Sequence, residues 1–207
     1  NYPEELTQLC GAIEWLSAKK QHRLLIIPGG GLFADHIRSM DSRFHFSASS
    51  SHKMAILAMD QYSLFLSELM PGAKLVQELG DAKKAGYAIL LPSQLLFKVS
   101  EKELPHSWDV TSDSIACYIA ARAKAEKLLL VKDVDGIYEY YKGKKQVLLR
   151  EVSARGLQDK EICVDKMLPK LLIKYKLDCC ILNGRFPERL RRILEGKRAI
   201  CTWVRHR

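Results

Sequence analysis

"LLIIPGGGLFADHIR", residues 24–38, runs an apolar strand-like stretch through three glycines into a helix-like pattern. Glycines at a strand-to-helix junction let a phosphate approach the backbone, because no Cβ intervenes and a helix N-terminus offers free N–H groups. Taken alone, Gly29, Gly30 and Gly31 are equally compatible with a tight turn that binds nothing. No Lys-Ser or Lys-Thr follows the triplet, and no further glycine stands at the dinucleotide spacing, so neither common phosphate loop applies. The positive charge that a phosphate reaction needs has to come from elsewhere.

The same strand-then-helix rhythm extends outward from this stretch. "GYAILLP" (86–92), "EKLLLVK" (126–132), "DCCILNG" and "AICTWV" read as further strands. "YPEELTQLCGAIEWLSAKK", "TSDSIACYIAARAKA" and "PERLRRILEG" read as helices, and Pro169 puts a break or a start inside "VDKMLPKLLIKYK". "HKMAILAMDQYSLFLSELM" is apolar nearly all round and is expected to be a well-buried helix. "DVDGIYEYYKGKKQ" reads as a turn leading into a polar hairpin. Alternation of this kind predicts an α/β fold, a three-layer αβα sandwich with a mostly parallel central sheet, in one domain spanning 1–207.

Composition narrows the partners. A hydrophobic fraction of 47% with 28% charged residues describes a cored protein rather than a disordered one. The net charge of +9 suits nucleic acid, an acidic surface or phosphorylated small molecules. The basic residues are scattered and none of their runs is interleaved with aromatics, so no nucleic-acid partner is expected. The six cysteines lack paired C-x-x-C spacing, which argues against zinc and for buried thiols in a reducing compartment. No stretch reaches membrane-spanning length, and the expected location is cytoplasmic with no membrane partner.

In open α/β sheets ligands sit beyond the carboxyl ends of the strands. Three ends stand out: "IIPGGG", "LLLVKDVDGIY" and "CCILNGRFPERL". Asp135 and Gly136 favour a turn, Asp133 is an acid at the end of an apolar strand, and Tyr138 offers a flat face or a hydroxyl to a nucleotide base. Asp113 falls in the first turn of a helix, where it also suits the helix dipole. Lys166 and Lys170 stand four apart around "MLP". Asp60 and Gln61 are polar residues inside an apolar helix and need partners if buried.

In this order, "PGGG", "TSDSIA", "VDGIY", "DKMLPK" and "NGRFPERL" resemble the amino-acid kinase superfamily over nearly the whole chain. The resemblance implies an ATP-dependent small-molecule kinase, with the glycine turn over the transferring phosphoryl group and acceptor. It implies that Lys170, in "KMLPK", supplies charge and that Asp113 positions lysines rather than holding a metal. It assigns Lys132, Asp133, Asp135, Gly136, Tyr138 and Met167 to nucleotide binding. About 1–110 is then the acceptor-binding part and about 111–207 the nucleotide-binding part. ATP and Mg²⁺ are the implied cofactors, with no protein cage for the metal, and a homo-oligomer of two or more copies is expected. A lysine-x-glycine-glycine-serine strand of the superfamily is expected upstream of residue 1, and the C-terminal "GTxI" of many relatives is altered here to "ICTWV".

Residues 52–69 are similar to the corresponding helix in the small kinases of methanofuran biosynthesis, which take (5-(aminomethyl)furan-3-yl)methyl phosphate to its diphosphate. That likeness implies an acceptor pocket with His52, Asp60 and Gln61 as contacts, Asp60 facing the substrate ammonium. Isopentenyl phosphate or a nucleoside monophosphate as acceptor, and a non-catalytic nucleotide-binding regulator, are the alternatives within the same fold.

Overall fold

The computed structural model describes residues 3–20, 22–141, 145–158 and 162–207. The chain divides into two compact units, Ile13–Ile115 and Asn1–Ala12 with Ala116–Arg207. Parallel strands with helical connections make the fold a mixed α/β one, as the alternation predicts. Among the described residues the strands are distributed over a three-stranded sheet, a four-stranded sheet and a hairpin.

The first unit takes in the C-terminal part of α1 (Pro3–Lys20), then β1 (Leu24–Ile26), α2 (Gly31–Phe44), α3 (Ala48–Leu69), β2 (Lys74–Val76), α4 (Leu79–Ala85), β3 (Tyr87–Leu90), α5 (Ser93–Leu96) and the start of α6 (Ser112–Ala123). β3 is the central strand, parallel to β1 on one side and β2 on the other, and all four of its residues are buried. A continuous "YAIL" suits that place, since a central parallel strand meets apolar neighbours on both faces. The Ser63 hydroxyl ties α3 to this sheet by donating to the Leu90 carbonyl at 2.6 Å. Ile56, Ala58 and Met59 bury the adjoining face of α3.

α3 departs from the expectation of a well-buried helix. Leu57, Leu64 and Phe65 are 43%, 52% and 44% exposed, so an apolar face is left uncovered in the single chain. The helix also begins earlier than its apolar pattern, because Ser47 caps it, accepting from the Ser50 N–H at 3.2 Å.

The second unit holds β4 (Leu128–Lys132), β5 (Tyr138–Tyr141), β6 (Lys145–Leu148), β7 (Glu151–Ser153), a 3₁₀ turn (Ala154–Leu157), α7 (Leu168–Tyr175), β8 (Cys179–Asn183), α8 (Pro187–Leu194) and β9 (Thr202–Arg205). The strand order is β4-β8-β9-β7, with β4 parallel to β8, β8 antiparallel to β9 and β7 parallel to β9. β8, "CCILN", is buried at all five positions. β5 and β6 form the antiparallel hairpin read from the sequence, and its residues 142–144 lie outside the described residues. α7 starts just before Pro169, with the Asp165 carboxylate accepting from the Leu168 N–H at 2.9 Å. Lys166 therefore precedes the helix and does not share a helical face with Lys170.

Candidate active site

In the first unit the chain leaves β1, passes Pro28 and the glycines, and enters α2. Gly31 adopts φ +47°, and a Cβ there would stand 2.4–2.6 Å from the Tyr62 ring. Left-handed geometry and the close aromatic together make glycine the residue this position needs. A Cβ on Gly29 would meet the Ser112 hydroxyl at 3.2 Å, so the turn lies against the start of α6. The Ala34 N–H donates to the Gly30 carbonyl at 3.0 Å, the first bond of the helix. The first N–H groups of α2 have no intrahelical acceptor and stand at the positive end of its dipole. No acidic residue occupies that first turn.

A cavity of about 170 Å³ opens beside the turn. α2 contributes Gly31, Ala34, Asp35 and Arg38, at the three- and four-residue spacing of one helical face. α3 contributes His52, Ala55 and Met59, and the approach to α6 contributes Trp108, Thr111 and Ser112. Arg38 pairs with Asp35 at 3.3 Å and lies 4.6 Å from the centre of the Trp108 ring. The His52 ring stacks on His106 at 4.5 Å, and His106 Nδ1 lies 3.0 Å from Glu101. Burial first, and then the neighbouring His106, depress His52 to about 4 against the opposing pull of Glu101. His52 is accordingly a neutral imidazole at pH 7, a hydrogen-bonding wall rather than a cation.

Of the residues expected in this region, Gly30, Gly31 and His52 line the cavity, and Gly29 packs on its Ser112 wall. Asp113 is buried in the first turn of α6, next to the cavity-lining Ser112. Asp60 and Gln61 do not line the cavity. The Asp60 carboxylate accepts from the Ser93 N–H at 3.1 Å, where it closes the start of α5, and Gln61 is exposed. The polar partner that Asp60 required is thus a backbone amide 33 residues away. Arg38 and Trp108 escaped the sequence reading, although the helical spacing from Gly31 reaches Arg38 directly.

In the second unit the parallel pairing of β4 with β8 sets Lys132 opposite Asn183, so both strands end together. The turn beyond them is locked from three sides. Asn183 Nδ2 donates to the Asp133 carbonyl at 3.4 Å and to Asp135 at 3.2 Å. The Tyr138 hydroxyl donates to Asp135 at 3.2 Å, and Arg189 pairs with the same carboxylate. Burial pushes the Asp135 carboxyl upward, but Arg189, Asn183 and Tyr138 outweigh it and hold it below the ordinary range. Gly136, at φ +150°, has the Thr202 hydroxyl 2.2 Å from where a Cβ would be, and no other residue fits.

Asp133 and Tyr138 are exposed at this turn, and Lys132 is half-buried at the strand end. Asp135 is committed to the turn itself. Asn183 and Arg189 are the parts missed from sequence, both buried, both inside "NGRFPERL". Met167 stands directly before α7, and Lys170 lies in its first turn with its side chain exposed. Among the described residues no group of three or more His, Cys, Asp or Glu side chains is arranged to hold a metal ion. No described helix is long and apolar enough to cross a membrane.

An α/β fold with a glycine turn at a helix N-terminus and a second glycine turn beyond paired parallel strands has close counterparts among kinases of small molecules. The model of the amino acid kinase family matches residues 3–182, and the chain belongs to that family. (5-(Aminomethyl)furan-3-yl)methyl phosphate kinase of Methanocaldococcus jannaschii is 37% identical over 200 residues, which cover 95% of this chain and 90% of that protein. Acetylglutamate kinase of Trichodesmium erythraeum is 31% identical over 101 residues, 48% of this chain and 32% of its own length. Uridylate kinase of Archaeoglobus fulgidus superimposes with a TM-score of 0.74 at 17% identity, covering 99% of this chain and 94% of its own. The product complex of T. acidophilum isopentenyl phosphate kinase gives 0.59, also at 17% identity, covering 95% of this chain and 89% of its own. At such identities the last two describe the fold alone.

Proposed function

We propose that this protein transfers the γ-phosphoryl group of ATP to a small phosphorylated acceptor, (5-(aminomethyl)furan-3-yl)methyl phosphate, giving its diphosphate. The reading rests on family membership, on the 37% identity to a kinase of that name, and on one observation above the others. That observation is the cavity beside Gly31, where the N-terminus of α2 and the Asp35-paired Arg38 guanidinium meet the flat walls of His52 and Trp108. Amides and a guanidinium suit a phosphate, and flat walls suit a small ring.

About 1–110 is then the acceptor-binding part and about 111–207 the nucleotide-binding part. In phosphoryl transfer the charge in the transition state is spread over the moving group, so catalysis is mostly positioning and electrostatics. Main-chain amides of Gly29–Gly31 stabilise the phosphates at the acceptor side. Lys170 supplies an ammonium to the transferring group, and Asp113 positions the cationic machinery. A phosphate acceptor is largely ionised near pH 7 and attacks without a general base. Lys132, Asp133, Gly136, Tyr138 and Met167 contact the nucleotide, while Asp135 keeps the turn in shape. Mg²⁺ is the metal that ATP chemistry calls for, since it binds largely through phosphate oxygens and water and neutralises their charge. The six cysteines are free thiols, which fits a cytoplasmic site of action. The exposed Leu57, Leu64 and Phe65 of α3 fit a homo-oligomer.

Acceptor-dependent release of ADP by the full-length protein with Mg-ATP and the aminomethylfuran phosphate tests the reading. Turnover with isopentenyl phosphate or uridine monophosphate in its place would replace the acceptor and keep the reaction. ATP binding without transfer to any of the three would leave a nucleotide-binding regulator.

A further inference from the structure

The cavity at the glycine turn adjoins a second one of about 260 Å³, and the two share His52, Ala55, Trp108 and Val110 as walls. The second cavity ends at Asp41, with Phe46 and Ser51 beside it. Asp41 continues the face of α2 that carries Gly31, Ala34, Asp35 and Arg38, so one helix borders both cavities.

Neutral donors hold the Asp41 carboxylate in place, the Ser51 hydroxyl adding to an indole and a backbone N–H. Trp108 Nε1 donates to Oδ2 at 2.6 Å, and the Phe46 N–H donates to Oδ1 at 3.0 Å. The second bond depends on the left-handed turn at His45 (φ 54°) that ends α2. The Trp108 N–H above all keeps the carboxyl ionised, below its ordinary range, against the pull of partial burial. Arg38, one turn earlier on the same helix, pairs with Asp35 and lies 4.6 Å from the centre of the Trp108 ring. The charge of Asp41 is thereby oriented mainly by neutral groups, with His45 the cationic neighbour on its own helix end. A carboxylate has about four lone-pair sites to share among its partners.

We propose that Asp41 is the specificity-determining residue for a cationic arm of the acceptor, binding an ammonium in the second cavity while the acceptor phosphate lies at Gly30 and Gly31. This rests on the kinase reading above, and it replaces Asp60 in the role of amine partner. The dimensions agree. Gly31 and Asp41 are ten residues apart on α2, about 15 Å at roughly 1.5 Å per residue. An aminomethylfuran methyl phosphate spans roughly 8 Å from phosphorus to nitrogen by ordinary bond lengths. A hydrogen bond of about 3 Å at each end closes most of the remainder. His52 and Trp108, common to both cavities, flank the ring between.

The test is binding without ATP, by isothermal titration of the full-length protein. The probes are (5-(aminomethyl)furan-3-yl)methyl phosphate and its amine-free counterpart, (5-methylfuran-3-yl)methyl phosphate. The wild type should prefer the amine by roughly tenfold or more, and Asp41→Asn should abolish that preference while keeping affinity for the amine-free ligand within about twofold. Trp108→Phe, which keeps a ring and loses the donor, should reduce the preference part of the way and identify the Trp108 indole N–H signal, which the amine ligand should shift in the wild type. A wild type without preference, or an Asp41→Asn that retains it, overturns the proposal. Loss of preference in Asp35→Asn but not in Asp41→Asn assigns the ammonium to the other carboxylate and overturns it equally. If Asp41→Asn does not fold, Asp35→Asn decides: a preference retained there supports Asp41, and a preference lost there overturns the proposal. Preferential binding with no phosphoryl transfer would remove the kinase reading and leave Asp41 in its role, whereas transfer without preference would do the reverse.

Discussion

Gly31→Ala is the substitution from which the structure extracts most. The left-handed backbone at φ +47° costs a residue with a Cβ about 1–2 kcal/mol. The new methyl group would stand 2.4 Å from the Tyr62 ring, which must retreat by roughly an ångström to reach ordinary contact. Tyr62 is not free to do so at no cost, since it packs edge-on against Phe33 at 5.3 Å and Phe65 at 5.9 Å. Overpacking of this kind costs about 1–3 kcal/mol, which brings the sum to about 2–5 kcal/mol. For a chain of this size the melting temperature should fall by roughly 4–20 °C. The turn amides shift with the backbone, and kcat should drop about a hundredfold, the usual cost of misplacing one preorganised donor. A double-mutant cycle separates the two contributions. In a Tyr62→Ala background the clash disappears and Gly31→Ala should cost only about 1–2 kcal/mol, leaving a coupling of about 1–3 kcal/mol. Denaturant unfolding followed by circular dichroism measures each corner. Equal costs in both backgrounds, or a cost below about 0.5 kcal/mol in the wild type, would refute the reasoning.

Lys170→Ala should lower kcat by about a hundredfold or more and leave the melting temperature unchanged, because the side chain is exposed in the first turn of α7. Arg189→Ala strands the Asp135 carboxylate and removes the guanidinium from its place 4.1 Å over the Phe186 ring. It should cost about 3 kcal/mol in denaturant unfolding, and less than that when Asp135→Asn is already present. His52 gives a pH dependence of defined sign. Its folded-state value of about 4 lies below the ordinary 6.5, so its contribution is present above pH 6.5 and is lost as the pH falls toward 4. His52→Gln should flatten the stability–pH curve in that window by about 3 kcal/mol, and an unchanged slope would contradict the buried neutral imidazole.

Much of the fold was legible because its strands are self-contained signals. "YAIL" and "CCILN" are buried along their whole length, and such runs tolerate few other readings. β2 and β7 were not legible. Each has three residues, and their strand state comes from pairing with β3 and β9 rather than from their own pattern. The glycine turn announced itself, since Gly31 and Gly136 occupy backbone geometries that their neighbours enforce. The partner of Asp60 did not, because an acid in an apolar helix signals only that a donor is near, and Ser93 is remote in sequence. Asp41 was invisible for a related reason. Nothing in "SMDSRFHF" indicates that Trp108, 67 residues on, returns to orient it.

The reaction itself is the most direct test. Full-length protein, Mg-ATP and (5-(aminomethyl)furan-3-yl)methyl phosphate should yield ADP together with a diphosphate ester, seen by ³¹P NMR as a pair of coupled signals that grow only when the acceptor is present. ADP release that ignores the acceptor, with inorganic phosphate as its sole companion, would contradict transfer between two phosphates at the glycine turn.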